Sequence, residues 1–305
     1  MTVLLVLSGL VLLALGGELL VRGAVGVAAR LGVSPLLAGL TIVGFGTSTP
    51  ELVTSLEAAF VGSPAIAVGN VVGSNIANIA LILGIAALIF PLDVTKKAFA
   101  RDGLVLGVSS LAALACIMAG VIGMWSGLAL LAGLVGYIRW AYLSERDTGG
   151  ADSEMHAQLA QDVTAPKASW VVLGAMSIGG IAAAIFGAQL LVEGAVALAR
   201  GWGVSEAVIG LSVVAVGTSL PELIACVVAA IRRHGDVALG NVIGSNIYNV
   251  LGILSITTIV EPLTVPQQIA RLDIWVLLGL TALLLVFLRT GWRLGRVEGA
   301  VLLVL

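Results

Sequence analysis

The chain is predicted to be an all-α polytopic membrane protein. Ten transmembrane helices are expected, arranged as two inverted five-helix repeats with discontinuous helices 2 and 7. Three observations predict this. Of 305 residues, 59% are hydrophobic and only 10% charged, with a mean hydropathy of +1.14, too little charge for a soluble domain of this size. Apolar runs long enough to cross a bilayer recur along the whole length. A shift of 171 residues, the separation of Glu51 and Glu222, superposes the halves without a gap from Leu19 to Val94. Ten-residue stretches of alternating polarity are absent, which argues against a β-barrel.

The first run, near 2–21, lacks a basic n-region and a small-residue cleavage site, so it reads as a span and not a signal peptide. Glu18 and Arg22, one turn apart at its end, read as a snorkelling pair. The second run, 34–60, is interrupted by "GFGTSTPELVTS" (Gly44 to Ser55), and Glu57 near its outer end reads as a solvated mouth residue. The third, 65–90, carries "GNVVGSNIAN", and runs at 103–121 and 124–143 complete the first half. Ser144 to Ser169 is the one polar segment, with Gly149-Gly150 and Pro166. It divides the chain into a first repeat (1–143), a linker loop (144–169) and a second repeat (170–305). The second half has runs at 170–199, 205–231, 237–260, 272–289 and 296–305. The last is too short to cross a bilayer, so the chain is expected to lack the end of its tenth helix.

Thirteen of the 15 Lys and Arg fall in one set of loops and only Arg200 and Arg271 in the other. The positive-inside rule then places the N-terminus outside and the 144–169 loop in the cytoplasm of a bacterial or archaeal plasma membrane. Trp125, Trp140, Trp170 and Trp202 near span ends suit an interfacial belt. Cys116 and Cys226 lie in apolar runs and read as small buried hydrophobes, while His156 and His234 read as loop residues.

Under the 171-residue shift "LLVRGAV" meets "LLVEGAV", "GTSTPEL" meets "GTSLPEL", and "GNVVGSNIAN" meets "GNVIGSNIYN". An odd number of spans per half makes the second half insert upside down. Inverted repeats with interrupted helices at matching positions point to a secondary transporter with a midplane site.

The matched segments carry the chemistry. Thr47, Ser48 and Glu51 are spaced to share one helical face. Pro50 has no N–H, which frees the Gly46 carbonyl, and Gly44 loosens the turn. Ala215, Thr218, Ser219, Pro221 and Glu222 repeat the arrangement. Ser74 with Asn78, and Ser245 with Asn249, add oxygens at i and i+4, and Gly69/Gly73 and Gly240/Gly244 are spaced for close helix approach. Asn75 and Asn246 fit either a role behind the site or plain helix packing. These segments hold no Lys or Arg, so two carboxylates at membrane depth require a cation or protons. An all-oxygen set without Cys or His suits a hard cation such as Ca²⁺ and not Zn²⁺ or copper. One Ca²⁺ or two Na⁺ would neutralise the pair, and mutual exclusion would give exchange.

These motifs resemble the two alpha repeats of the Ca²⁺:cation antiporter superfamily, its sodium/calcium exchanger branch in particular. The resemblance covers nearly the whole chain. It implies an antiporter exchanging Ca²⁺ for Na⁺ by alternating access, with the first and sixth helices sliding across a core of spans 2–5 and 7–10. The family's ion-binding positions fall on Gly44, Thr47, Ser48, Glu51, Ser74 and Asn78, and on Ala215, Thr218, Ser219, Glu222, Ser245 and Asn249. Glu51 and Glu222 are implied as direct ligands, and Thr47 and Thr218 as donors of backbone carbonyls. Well-known exchangers carry Asp at the position of Asn249, which leaves the counter-ion open between Na⁺, H⁺ and a K⁺-dependent scheme. The linker is too short to hold the large regulatory Ca²⁺-binding domains of animal relatives.

No cofactor is expected, Ca²⁺ and Na⁺ being transported ions. Beyond them and the lipid bilayer the sequence points to no obligatory protein partner, and no basic stripe suggests nucleic acid. A cation channel is the remote alternative. With no nucleophile–base pair or His cluster, an enzyme is not expected.

Overall fold

A computed structural model describes residues 2–146, 168–201 and 217–305. Among the described residues the architecture is all-helical apart from four two-residue strands. In chain order the helices are α1 (Thr2–Leu31), α2 (Pro35–Thr47), α3 (Thr49–Phe60), α4 (Pro64–Ile89), α5 (Lys96–Met118) and α6 (Met124–Arg146). After the linker come α7 (Trp170–Gly201), α8 (Leu220–Ile231), α9 (Gly235–Val260), α10 (Ile269–Gly291) and α11 (Arg296–Val304). Seven of these are long and apolar enough to cross a membrane. The count becomes eight if α2 and α3, bent by 42° at Ser48, form one span. Expected span 205–231 falls partly outside the described residues, as do Trp202 and His156.

Two pairs of helices bear the matched motifs at the centre. Within α9, 83% of the most apolar window is buried, and 56% within α4, against 28% for α1. Gly240 and Gly244 let α9 meet α2 backbone to backbone: a Cβ at Gly240 would crowd the Leu36 carbonyl, and one at Gly244 the Leu40 carbonyl. The close approach expected at Gly69 and Gly73 is not seen among the described residues. The nearest atom to a Cβ at Gly69 is Ile269 Cδ1, 3.8 Å away, and none lies within 4 Å at Gly73. Both α4 and α9 widen into a π-helical turn, at Asn78–Leu83 and Asn249–Leu254. Such turns stagger the helical ladder and recur at functional sites.

Short antiparallel ladders tie the halves together. Leu92–Asp93 (β1) pairs with Arg293–Leu294 (β4), and Val121–Ile122 (β2) pairs with Leu263–Thr264 (β3). The matched exits Pro91-Leu92 and Pro262-Leu263 thus lead into equivalent strands.

The outer pair, α1 and α7, run antiparallel on a glycine seam. A Cβ at Gly16 would lie 2.6 Å from the Ala184 amide nitrogen, and one at Gly180 would lie 2.5 Å from that of Leu20. Against the core, in contrast, α7 presents side chains: Ile181 seats on Gly46 and Val192 on Gly217. Glu18 of α1 pairs with Arg22 (2.5 Å), as the spacing implied. It also accepts from Arg232 after α8, at 2.9 Å from Nε. His234, read as a loop residue, is buried at the turn into α9. Burial lowers its pKa below the usual imidazole value, with Asp236 acting upward and Arg232 downward.

The expected fourth span began at 103, yet α5 starts at Lys96, where the Thr95 side chain accepts from the Ala98 N–H. Lys96 and Lys97 there are exposed, but Arg101 and Asp102 just beyond them are buried. Arg101 is 4% exposed and pairs bidentately with Asp102 (2.7 and 2.9 Å). It also donates to Glu145 Oε1 at 3.0 Å and to the Ala141 carbonyl at 3.2 Å. The Tyr137 hydroxyl donates to Asp102 at 3.1 Å, and Glu145 Oε2 accepts from the Ser34 N–H at 2.8 Å. One network therefore binds α5, α6 and the start of α2. Removing one partner leaves a buried charge uncompensated, at about 3–5 kcal/mol. Arg101→Met is accordingly expected to lower the melting temperature in detergent sharply. Asp102→Asn in the same chain should recover part of the loss.

Candidate functional site

Glu51 and Glu222 occupy the first turns of α3 and α8, each directly after a break. Ser48 (φ −80°, ψ 10°) and Ser219 (φ −90°, ψ 7°) leave helical geometry, and Pro50 and Pro221 follow at the first or second helical position. A carboxylate in the first turn faces the positive end of the helix dipole. Both glutamates are 1% exposed.

The two repeats meet here through crossed contacts. Ser48 Oγ donates to Glu222 Oε1 at 3.0 Å, and Ser219 Oγ donates to Glu51 Oε1 at 3.4 Å. Thr47, Ser48 and Glu51 were expected to share one helical face. The chain departs from the helix at Ser48, so that hydroxyl reaches the glutamate of the other repeat instead. Each carboxylate keeps one buried oxygen, Glu51 Oε2 and Glu222 Oε2, with no protein partner. No ion pair among the described residues involves either carboxylate.

The neighbouring polar groups divide by what they bond. Thr47 Oγ1 donates back to the Val43 carbonyl at 2.9 Å and lies 3.3 Å from Asn241 Oδ1. Ser245 Oγ donates to the Gly44 carbonyl at 3.2 Å, joining two of the expected positions. Ser74 is buried in α4, and Thr218 is half-buried in the turn before α8. Ala215 lies outside the described residues. Asn78 and Asn249 are each 1% exposed, and their Oδ1 atoms also lack a protein partner.

Four further asparagines hold this arrangement. Asn70 Nδ2 donates to the Glu51 carbonyl (3.0 Å) and to Ser55 Oγ (2.9 Å). Its counterpart Asn241 donates to the Glu222 carbonyl (3.3 Å) and to Cys226 Sγ (3.0 Å). Each therefore pins the glutamate-bearing turn of its own repeat. Asn75 bonds the Asn246 carbonyl and the Asn249 side chain, and Asn246 bonds the Asn75 carbonyl and the Asn78 side chain. Asn70 and Asn241 were not singled out from sequence, although their match at the 171-residue offset was a usable signal. Cys226 is buried and Cys116 half-buried, both free.

Two carboxylate and two amide oxygens, buried and without protein partners, suit a hard cation bound through oxygen. Leaving them without any partner would be costly at this depth.

A sequence model for the family described as sodium/calcium exchanger protein matches residues 1–143 and 172–305. The chain is 38% identical over 306 residues to the putative antiporter CaxA of Alkalimonas amylolytica, across 98% of this chain and 94% of that protein. It is 34% identical over 344 residues to the sodium/calcium exchanger MaX1 of Methanosarcina acetivorans, across 98% and 95%. Its fold superposes on the sodium-calcium exchanger NCX_Mj with a TM-score of 0.84 and 33% identity, covering 99% of this chain and 95% of that one.

Proposed function

The chain belongs to the sodium/calcium exchanger protein family, and on that premise we propose that it extrudes Ca²⁺ in exchange for Na⁺ across a bacterial or archaeal inner membrane. The exchange takes place at one site built around Glu51 and Glu222. The observation that carries this reading is the pair of buried carboxylates, each with one oxygen lacking any protein partner. Their combined charge matches one Ca²⁺ or two Na⁺, so the ions exclude one another. The neutral ligands are Asn78 and Asn249, Ser48 and Ser219, Ser74 and Ser245, and the backbone at Thr47, Thr218, Gly44 and Ala215. The MaX1 relative bears the name of a sodium/calcium exchanger, which favours this ion pair.

Ten helices in two inverted units, 1–143 and 170–305, complete the proposed architecture, with the N-terminus outside and residues 144–169 cytoplasmic. On this reading α2–α3 and the segment ending in α8 are the two discontinuous spans. The α1–α7 pair moves as one body: glycines bring its two backbones together, whereas it meets the core through aliphatic side chains and the Glu18–Arg232 ion pair.

Purified protein in proteoliposomes tests the coupling. An outward Na⁺ gradient is expected to drive ⁴⁵Ca²⁺ uptake, and collapse of that gradient to abolish it. Asn249 stands where well-known exchangers carry Asp, which keeps a proton-driven scheme as the second reading. Uptake driven by a pH gradient and indifferent to Na⁺ would establish that scheme instead. Ca²⁺ flux that needs no counter-ion would mark a channel.

A further inference from the structure

We propose that Asn75 and Asn246 are positioning residues that turn the amide oxygens, and not the NH₂ groups, of Asn249 and Asn78 toward the transported cation. The inference rests on the two-carboxylate site proposed above. An Asn side chain offers an acceptor on one side and two donors on the other. Only the oxygen can ligate a hard cation. Nothing in Asn78 or Asn249 alone decides which side faces inward.

Asn75 decides it for Asn249. Its Nδ2 donates to the backbone carbonyl of Asn246 at 3.2 Å. A carbonyl only accepts, so the orientation of the Asn75 amide is fixed and its Oδ1 must point away. That oxygen lies 2.8 Å from Asn249 Nδ2. Since an oxygen there cannot donate, Asn249 must offer it the NH₂ group, which leaves Asn249 Oδ1 without a protein partner. The other half repeats the chain of constraints. Asn246 Nδ2 donates to the Asn75 carbonyl at 3.4 Å, and Asn246 Oδ1 accepts from Asn78 Nδ2 at 3.0 Å. Asn78 Oδ1 is then the unpartnered atom. All four side chains are 1% exposed.

The brace crosses between repeats: Asn75 acts on Asn249 and Asn246 on Asn78, although Asn75 and Asn78 are neighbours on α4. It also gives Asn249 a role that a carboxylate could not fill. An Asp there has no N–H for the Asn75 oxygen, and Asn75 would have to release the Asn246 carbonyl to turn its own NH₂ toward it.

The crossed pattern supplies the test, read as the Ca²⁺ Kd of the purified full chain by calorimetric titration. Orienting groups behind metal ligands typically change affinity by about 10–100-fold, so N75A and N246A are each expected to weaken Ca²⁺ binding by about tenfold or more. In double-mutant cycles N75A should add nothing in the N249A background yet multiply its effect in the N78A background. N246A should show the opposite pattern and carries the test alone if N75A does not fold. Effects that multiply in both backgrounds mark plain helix packing and overturn the brace. Ca²⁺ binding unchanged in E51Q/E222Q would instead remove the site itself, a distinct failure.

Discussion

Replacing Glu51 and Glu222 together with Gln is expected to abolish counter-ion-dependent Ca²⁺ transport while making the ion-free protein more heat-stable. The opposite signs follow from one cause. Each carboxylate is 1% exposed, keeps an oxygen without a protein partner and has no ion pair among the described residues. Without a cation the two buried charges destabilise the fold, at several kcal/mol per uncompensated ion. Gln keeps the shape and an amide oxygen and removes the charge, so the ion-free variant should melt at a higher temperature. With Ca²⁺ the balance reverses. A divalent ion held only by neutral oxygens loses charge compensation worth several kcal/mol, which at 1.4 kcal/mol per decade is a loss of roughly a hundredfold or more in affinity. Ca²⁺ should therefore raise the melting temperature of the wild type and not that of the double variant. ⁴⁵Ca²⁺ uptake in proteoliposomes and thermal unfolding with and without Ca²⁺ check the two halves of the expectation. A fully active double variant would sink the site assignment.

A second large effect is expected far from the site. Leu at Gly16 or Gly180 should strip the protein of its folded state in detergent. A side chain at either position meets opposing backbone, 2.6 Å away at Ala184 and 2.5 Å at Leu20, and backbone cannot rotate aside. The helices must separate along their whole seam, which forfeits the close packing that replaces the hydrophobic effect between helices in lipid. Overpacking by a few methylenes costs about 1–3 kcal/mol even where side chains can yield, so a rigid clash should exceed that. Gly136→Leu is the control, because nothing lies within 4 Å of its Cβ position. Fluorescence-detected size exclusion after heating should show early loss of the Gly16→Leu peak and an unchanged profile for Gly136→Leu.

Much of this was legible in the sequence because it depends on composition and on the offset. The helical class, the 171-residue repeat and the isolated acidic residue in each "GTS-PE" stretch need no tertiary knowledge. What escaped depends on partners distant in sequence. The expected fourth span began after Arg101 and Asp102, and only the approach of Tyr137, Glu145 and Ser34 lets these charges stay buried inside the helix. Helical spacing put Ser48 on one face with Glu51, whereas the break at Ser48 sends its hydroxyl to Glu222. Gly9, Gly16 and Gly23 in α1, and Gly180, Gly187 and Gly194 in α7, recur every seventh residue. That period was visible, but an apolar run rich in glycine does not say which helix it meets. The asparagines behind the site illustrate the same limit: their match across the repeats was plain, while the crossed direction of their bonds belongs to the fold.

If Glu51 and Glu222 hold one shared site, Ca²⁺ and Na⁺ must compete for it. Titration of Ca²⁺ into the purified protein at increasing Na⁺ measures this directly. Rising Na⁺ is expected to weaken Ca²⁺ binding without changing the number of Ca²⁺ bound at saturation, and E51Q/E222Q to bind Ca²⁺ more weakly by roughly a hundredfold or more. Ca²⁺ binding indifferent to Na⁺, or retained at wild-type affinity in E51Q/E222Q, would contradict a shared site.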